Sequence, residues 1–555
     1  MNGKYIARLL LALVLIGAMS AHAAQPVVVK SVGELESAVR KARAGQVIAV
    51  ADGVYRNVEL EITASGREGQ PIIIRALNPG QAIISGDSSV SIHGEHVILA
   101  GFYFKDGDRD PDEWGSHGPG LVTVYSSHVR ITECAFHRFD TADGGWITVT
   151  PPASGKVPEF VRIDHCSFTD KPTFDQVINL NNCDRKLWES TYKKVDGAEG
   201  APPMYHRVDH CYFSNPPKTG NAGGGIRIGT WRNDTGRSLV DHNLFERHDS
   251  EAEIITSKSR ENIFYANTFK NCQGTLNFRH GDRQYAIHNY FLGTDELFGY
   301  GGMFIWGSDH AVVGNYFYLP RTLKDRGEAC LYLNAGVAGS SHARADRNLI
   351  ANNIVLGKKG SVADLTALLE RRADAAKAVD ERELLPTGNR FVGNVVATLD
   401  PSYKPWAFVE NHEAMALQQW TDNIQRKHPL DGASVTGNDV REFELVVGEG
   451  GLPMPSAEFV AVCRRSVSFE VDSHLPVDPN ALVDGKIKTL SKSPAIDLDG
   501  LEEVARPLEF KDVGPSWLKE NPSSYTADGA VQGELLKMMC ETHAHRDRPY
   551  KVNKK

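Results

Sequence analysis

The sequence predicts an all-β fold: a single-stranded parallel β-helix, capped by a helix at its N-terminal end, with a C-terminal segment wrapped against it. Two observations carry this. A degenerate motif recurs nine times, and the chain around it consists of short apolar runs broken by Gly, Asn and Asp. The motif reads apolar, x, x, Cys or Asn, x, aromatic or aliphatic. It ends the segments Val129–Phe136, Val161–Phe168, Val208–Phe213, Val240–Phe245, Phe264–Phe269, Ala286–Phe291, Val312–Phe317, Ile350–Val355 and Phe391–Val396. The Cys/Asn marker falls at 134, 166, 211, 243, 267, 289, 315, 353 and 394, so the shortest steps are 22 to 26 residues. A repeat of this length signals a solenoid, in which each turn buries its apolar face only by stacking on the next. Longer steps read as the same turn with a loop inserted. The Asn markers are expected to form a ladder of side-chain amides along the stack. An antiparallel sandwich would need nine chance matches.

The elements follow in order. Residues 1–23 read as a secretory signal: Lys4 and Arg8, the apolar run Leu9–Ala18, then Ala21-His22-Ala23 as the cleavage site. The apolar run is short for a bilayer span, and no stop-transfer pattern follows. The expectation is a secreted or periplasmic chain with no membrane attachment after cleavage, acting as a monomer. Val27–Ala49 reads as a strand and then a helix over Ser31–Ala44, with Ser31 and Glu34 as a capping box and Gly45 as the stop. This helix would cover the open sheet edge at the end of the solenoid. Strand signals follow at Val47–Val50, Ile72–Arg75, Ala82–Ser85 and Val97–Phe104.

The motif then carries the chain to about residue 400. Within it, Ser361–Leu385 has helical spacing and reads as an inserted surface helix bearing Arg371 and Arg372. Beyond Asp400 the repeat fades. Trp406–Leu430 reads as loop and helix, Phe443–Val447 and Phe459–Phe469 as strands, Leu490–Trp517 as loop, and Gln532–Met539 as a closing helix. No clean linker appears, so residues 24–555 read as one elongated domain.

Net charge is −9, or −11 without Lys4 and Arg8, which argues against nucleic acid as a partner. It leaves room for a local basic cleft that takes an anionic polymer. The eight cysteines are sparse and include no Cys-x-x-Cys pair, so neither a disulfide framework nor a zinc site is signalled. Cys134, Cys166 and Cys211 share the marker position and read as small buried apolar residues.

The chemistry gathers around Glu251–Lys258. Glu251 and Glu253 are two apart, so on a strand they leave one face and want a cation between them. With Asn221 about one turn earlier, they form a set of hard oxygen ligands suited to Ca2+. Arg279 follows Lys258 by 21 residues, about one turn, so the two stack as neighbours. Lys258 lies at odd offset from both glutamates, so it needs a bend near Thr256-Ser257 to reach their face. Singly, each of these side chains is an ordinary solvated surface group; their one-turn spacing carries the reading. A base, a second cation and a metal site suit β-elimination in a uronic-acid polymer. There the C5 proton beside the carboxylate is removed and the C4 oxygen expelled.

The blocks Ser250–Ser259, Asn271–Thr275 and Asn277–Asp282 resemble the active-site blocks of polysaccharide lyase family six, which holds alginate lyases and chondroitinase B. The likeness is close over Gly220–Gly293 and looser elsewhere. It implies a right-handed parallel β-helix and Ca2+-dependent β-elimination. It further implies Lys258 as base, Arg279 as acid, Ca2+ on Asn221, Glu251 and Glu253, and His280 against the substrate. The expected substrate is an anionic polysaccharide, alginate ahead of dermatan sulfate. Two rival readings are a non-catalytic polysaccharide-binding β-helix and a hydrolytic one that uses paired acids.

Overall fold

The computed structural model describes residues 25–519 except 110–118, 142–143, 173–174, 184, 188, 191–200, 217–222, 231–233, 249, 295–300, 320–328, 337–341, 358–360, 366–384, 399–415, 427–437, 449–450 and 503–505. The leader, Asn221, Arg371, Arg372 and the closing helix at Gln532–Met539 lie outside the described residues.

Three parallel sheets run the length of a right-handed β-helix. Sheet 1 has 14 strands, from Val27–Val29 to Gln419–Thr421. Sheet 2 has 14, from Gly53–Arg56 to Asn438–Arg441, and sheet 3 has 11, from Glu59–Ile62 to Ser361–Asp364. The central coils each contribute one short strand to each sheet and pair with the coils before and after them.

The recurring motif is the corner between sheets 1 and 2. The residue before each marker is left-handed: His165, His210, His242, Ala266, His288 and Asn352 have φ between 48° and 54°, and glycine stands there at 314 and 393. Such a backbone costs a non-glycine residue about 1–2 kcal/mol, and the marker behind it holds the corner in place. Asn289 shows how. Its Nδ2 donates to Phe264 O at 2.9 Å and to Asn315 Oδ1 at 3.0 Å. Its Oδ1 accepts from the backbone N and Nδ2 of Asn267, both at 3.0 Å. The ladder runs from Asn243 through 267, 289, 315, 353 and 394 to Asn423. Earlier in the chain Cys134, Cys166 and Cys211 take the same place as buried free thiols, each pointing at a carbonyl one coil back. Two residues after the markers, Phe136, Phe168, Phe213, Phe245, Phe269, Phe291 and Phe317 stack through the core with ring centroids 4.5–5.1 Å apart.

A second polar ladder, not anticipated from the motif, lies five residues before the markers. The ring of His206 accepts from the Val161 backbone, and Asn262, His310, Asn348, Asn389 and Gln418 each accept from a backbone N–H of the preceding coil. Over the coils that carry both, the two ladders pin both ends of the sheet 1 strands.

The N-terminal helix, α1 (Val32–Arg40), is capped by Ser31, whose side chain accepts from Glu34 N. The Glu34 carboxylate closes the turn on Lys30 N at 2.7 Å. Leu35 and Val39 are buried against the first strands, so the helix covers the solenoid end.

Three expectations are corrected. Ser361–Asp364 is a strand paired with Ala329–Leu333, not the start of an inserted helix, and Ala363 and Leu365 are buried in the core. The sheets also run past residue 400: Gln419–Thr421 and Asn423–Arg426 add strands where loop and helix were expected, and Asn438–Arg441 adds another. Phe459–Phe469 is not a strand. Ala457–Cys463 forms helix α2, started by Ser456 Oγ accepting from Phe459 N at 3.2 Å.

After α2 the chain turns back along the solenoid wall. Asp472 pairs with Arg237, Asp497 with Arg162, and Ser516 and Trp517 bond to Glu133. Leu475, Val477, Leu482 and Leu501 are buried against Tyr265, Tyr285 and Ile287, so the C-terminal wrap is a packed part of the fold. No described helix is long and apolar enough to cross a membrane.

Candidate active site

The site lies on sheet 3. Its strands here are β1 (Ile178–Leu180), β2 (Ile226–Ile228), β3 (Glu253–Ser257), β4 (Thr275–Phe278) and β5 (Met303–Ile305). The residue just past each strand stacks on its neighbours. Gly229 N donates to Leu180 O, Lys258 N to Ile228 O, Arg279 N to Ser257 O and Trp306 N to Phe278 O, at 2.7–3.0 Å. Lys258 and Arg279 are therefore one coil apart, about 4.8 Å along the axis. Gly229, with φ +78°, puts no side chain beside Lys258 on the other side.

The odd offset between the glutamates and Lys258 is resolved by a β-bulge, and upstream of the anticipated bend. Glu253 pairs with Thr275 and Ile255 with Leu276, so Ile254 is an extra residue that flips the alternation. Ile255 and Ser257 then face the core, while Glu253, Thr256 and Lys258 share the outer face. Thr256 Oγ1 donates to Glu253 Oε2 at 2.6 Å, and Arg279 Nη1 forms an ion pair with Glu253 Oε1. Glu253 is thus nearly buried and held from both sides.

Burial, with the Arg227 and Arg279 guanidiniums next, brings the Lys258 ammonium down from 10.5 to about 8; Glu253 and Glu251 pull the other way. Such a lysine becomes substantially unprotonated from about pH 8 upward, well below the range of an ordinary lysine, as a general base requires.

Glu251 Oε1 accepts from Gln176 Nε2 at 3.4 Å. A Cβ on Gly224 would come within 2.3 Å of Glu253 O and 3.4 Å of Glu251 Oε1, so only glycine lets the backbone between β2 and β3 pass this close to those oxygens. Oxygen-only donors with carboxylates fit a hard cation such as Ca2+. Asn221, the third expected ligand, lies outside the described residues. His280 follows Arg279 on the same coil, its ring 4.9 Å from that of His342, and the His342 ring is 4.7 Å from that of Trp306.

Arg227, Thr256, Gln176, Trp306 and His342 were not picked out from the sequence. For Trp306 a signal existed: it follows Arg279 by one coil.

A different cluster, Asp209, His210 and Asp241 on sheet 1, also brings metal-type ligand atoms within 4.8 Å of one another. These carboxylates already have partners. Arg162 forks onto Asp209 at 2.9 Å and Arg207 onto Asp241 at 2.8–2.9 Å, each arginine reaching the next coil. Arg130 does the same to Asp164, so the cluster belongs to a repeating ion-pair ladder.

A family model described as Chondroitinase B matches residues 29–463. No curated protein matches the chain. Among solved structures, the PL6 family alginate lyase AlyGC is 23% identical, with a TM-score of 0.61 over 85% of this chain and 59% of its own. The chain therefore spans about three fifths of AlyGC's length. A mannuronic acid specific polysaccharide family 6 lyase from human gut microbiota is 24% identical, with a TM-score of 0.60 over 75% of this chain and 91% of its own. The PL6 family polysaccharide lyase Pedsa3628 from Pseudopedobacter saltans is 20% identical, with a TM-score of 0.56 over 88% and 99%. At these identities the structures establish a shared fold.

Proposed function

The chain belongs to polysaccharide lyase family six, the family of the chondroitinase B model, and from that membership we propose that it cleaves alginate by β-elimination. The observation that supports this most is the pairing, one coil apart, of a lysine brought down to about 8 with an arginine anchored on a nearly buried glutamate.

Lys258 Nζ takes the C5 proton of the uronate. The electron pair left at C5 forms the C4–C5 double bond as the C4–O bond breaks. Arg279, its guanidinium oriented by Glu253, stabilises the charge developing on the sugar and supplies the proton to the departing oxygen. His280 borders the same pocket and contacts the sugar. Glu251 and Glu253, with Asn221, would hold Ca2+. When bound, the ion neutralises the substrate carboxylate and so makes the C5 proton more acidic. The leader sends the protein out of the cytoplasm, where residues 24–555 act as one monomeric catalytic domain.

Alginate is favoured because solved family members carry alginate or mannuronic acid in their descriptions. Dermatan sulfate is the second reading, favoured by the description of the family model. Incubation with alginate, dermatan sulfate and pectate in separate arms, followed by ultraviolet absorbance of the unsaturated uronate, tests this. A rise with alginate is expected. A rise only with dermatan sulfate moves the substrate, and no rise with any polymer ends the lyase reading.

A further inference from the structure

The column that carries Lys258, Arg279 and Trp306 does not begin at the site. In the preceding coils the same position, just past a sheet 3 strand, is held by His93, Tyr125, Thr150, Asn181 and Gly229. The same backbone bond recurs at each: His93 N donates to Ile62 O, Tyr125 N to Ile92 O, Thr150 N to Val124 O and Asn181 N to Val149 O, at 2.8–3.0 Å. The residues just before them, Ile92, Val124, Val149 and Leu180, are buried in the core. By the alternation of a strand, His93, Tyr125, Thr150 and Asn181 leave the outer face, as Lys258 does. The strands pair in register from Ser89–Ile92 to Glu253–Ser257. Tyr125 therefore stands four coils before Lys258, about 19 Å along the axis.

The far end of the column is aromatic. The rings of His93 and Tyr125 stack, with centroids 4.7 Å apart and 11° between their planes. His93 is exposed and Tyr125 partly so. Three residues on, where the chain turns into sheet 1, His96, His128 and Phe160 form a second stack, 4.5 and 5.0 Å apart, and none of them is buried. Between Tyr125 and Lys258 the column itself holds only Thr150, Asn181 and Gly229, so none of its side chains there is bulky. Accessible rings with polar tips suit a sugar, whose C–H face packs on a ring while its hydroxyls meet the phenol and imidazole. The Glu61 carboxylate, 3.8 Å from His93 Nε2, disfavours a sugar carboxylate at this point and leaves the ring face and hydroxyls as the contact.

We propose that His93 and Tyr125 form a distal subsite that packs against a sugar unit of the polymer four coils away from the unit being cleaved. A polymer that engages Lys258 and Arg279 on successive coils lies along the solenoid axis, and it reaches the pair by following the column. This assignment rests on the polysaccharide-lyase reading of the site. It makes the pair a device that favours long chains over short ones.

The test is steady-state kinetics on the polymer that the wild type cleaves and on oligomers of increasing length cut from it. Wild type is compared with the double variant His93→Ala/Tyr125→Ala and with Tyr125→Phe, alongside thermal melts. Loss of the ring packing corresponds to roughly a 3- to 10-fold effect. The expected double variant has a KM on the polymer raised by about that factor, with kcat and melting temperature little changed. Its KM on the shortest cleaved oligomer matches the wild type, and it lacks the fall in KM that the wild type shows once an oligomer spans the four coils. Tyr125→Phe, which keeps the ring, stays closer to the wild type. An unchanged KM on the polymer, or a KM raised by the same factor at every length, overturns the subsite. A wild type that makes no unsaturated uronate from any polymer defeats the lyase reading instead, before any variant is compared.

Discussion

Replacing Lys258 with Met separates what the lysine does for chemistry from what it costs the fold. In the folded protein its ammonium is brought down from 10.5 to about 8, first by burial and then by Arg227 and Arg279. At 1.36 kcal/mol per pH unit this is about 3 kcal/mol. The sign follows from linkage. The unfolded chain holds the proton more tightly, so below pH 8 the folded state carries the full penalty. The penalty shrinks between pH 8 and 10.5 and is gone above that. Methionine keeps the length and apolar body of the side chain without the charge. At roughly 2.1 cal/mol/K per residue, 555 residues give an unfolding entropy of about 1.2 kcal/mol/K. Lys258→Met is therefore expected to melt about 3 °C higher at pH 7 in chelator, to converge on the wild type near pH 10.5, and to show no turnover. Differential scanning fluorimetry across pH, paired with the ultraviolet assay, reads both. A variant that melts lower at pH 7, or keeps substantial activity, refutes the picture of a strained, buried base.

The remaining predictions address the scaffold, the metal and the pH profile. Asn289→Ala strips partners from Phe264 O, Asn267 and Asn315 at once; at about 1–3 kcal/mol per orphaned group it should lower the melting temperature by several degrees, measured by calorimetry. Glu253→Gln should cut kcat/KM by at least about 100-fold, since it loosens Arg279 and removes a metal ligand. The same variant should lose the melting-temperature rise of about 2 °C that Ca2+ at 100 times its Kd gives the wild type. EGTA should suppress wild-type activity and added Ca2+ restore it. The acidic limb of kcat/KM should rise with pH as Lys258 loses its proton, with its midpoint at or below about 8, because a bound dication adds to the existing cationic neighbours. A limb that falls with pH through this range contradicts Lys258 as the base.

Much of the fold was legible because the corner motif is a physical necessity repeated at every coil. A left-handed residue, a buried Asn or Cys and a core Phe recur where sheet 1 turns into sheet 2. The second ladder was equally regular, five residues before each marker, but its mixture of His, Asn and Gln hid the pattern. In sequence the helix at Ala457–Cys463 looks like a strand, because Phe and Val suit either state. Its start lies in the Ser456 cap, and Phe459 packs on Phe443 across the turn. At the site, Glu253, Lys258 and Arg279 were legible from coil spacing, while the bulge at Ile254 was not, since one extra residue in a strand leaves no compositional trace. Arg227 could not be singled out either. Arg-Ile after a glycine run is ordinary; what sets the residue apart is that, among the described residues, no carboxylate pairs with it, which only the packed structure shows.

The ultraviolet spectrum of the products made from alginate tests the central claim most directly. Elimination between C5 and C4 leaves a conjugated uronate at each new non-reducing end. The account predicts absorbance that grows in step with new reducing ends and is lost in Lys258→Met. Reducing ends that accumulate without the chromophore would mean hydrolysis and would contradict it.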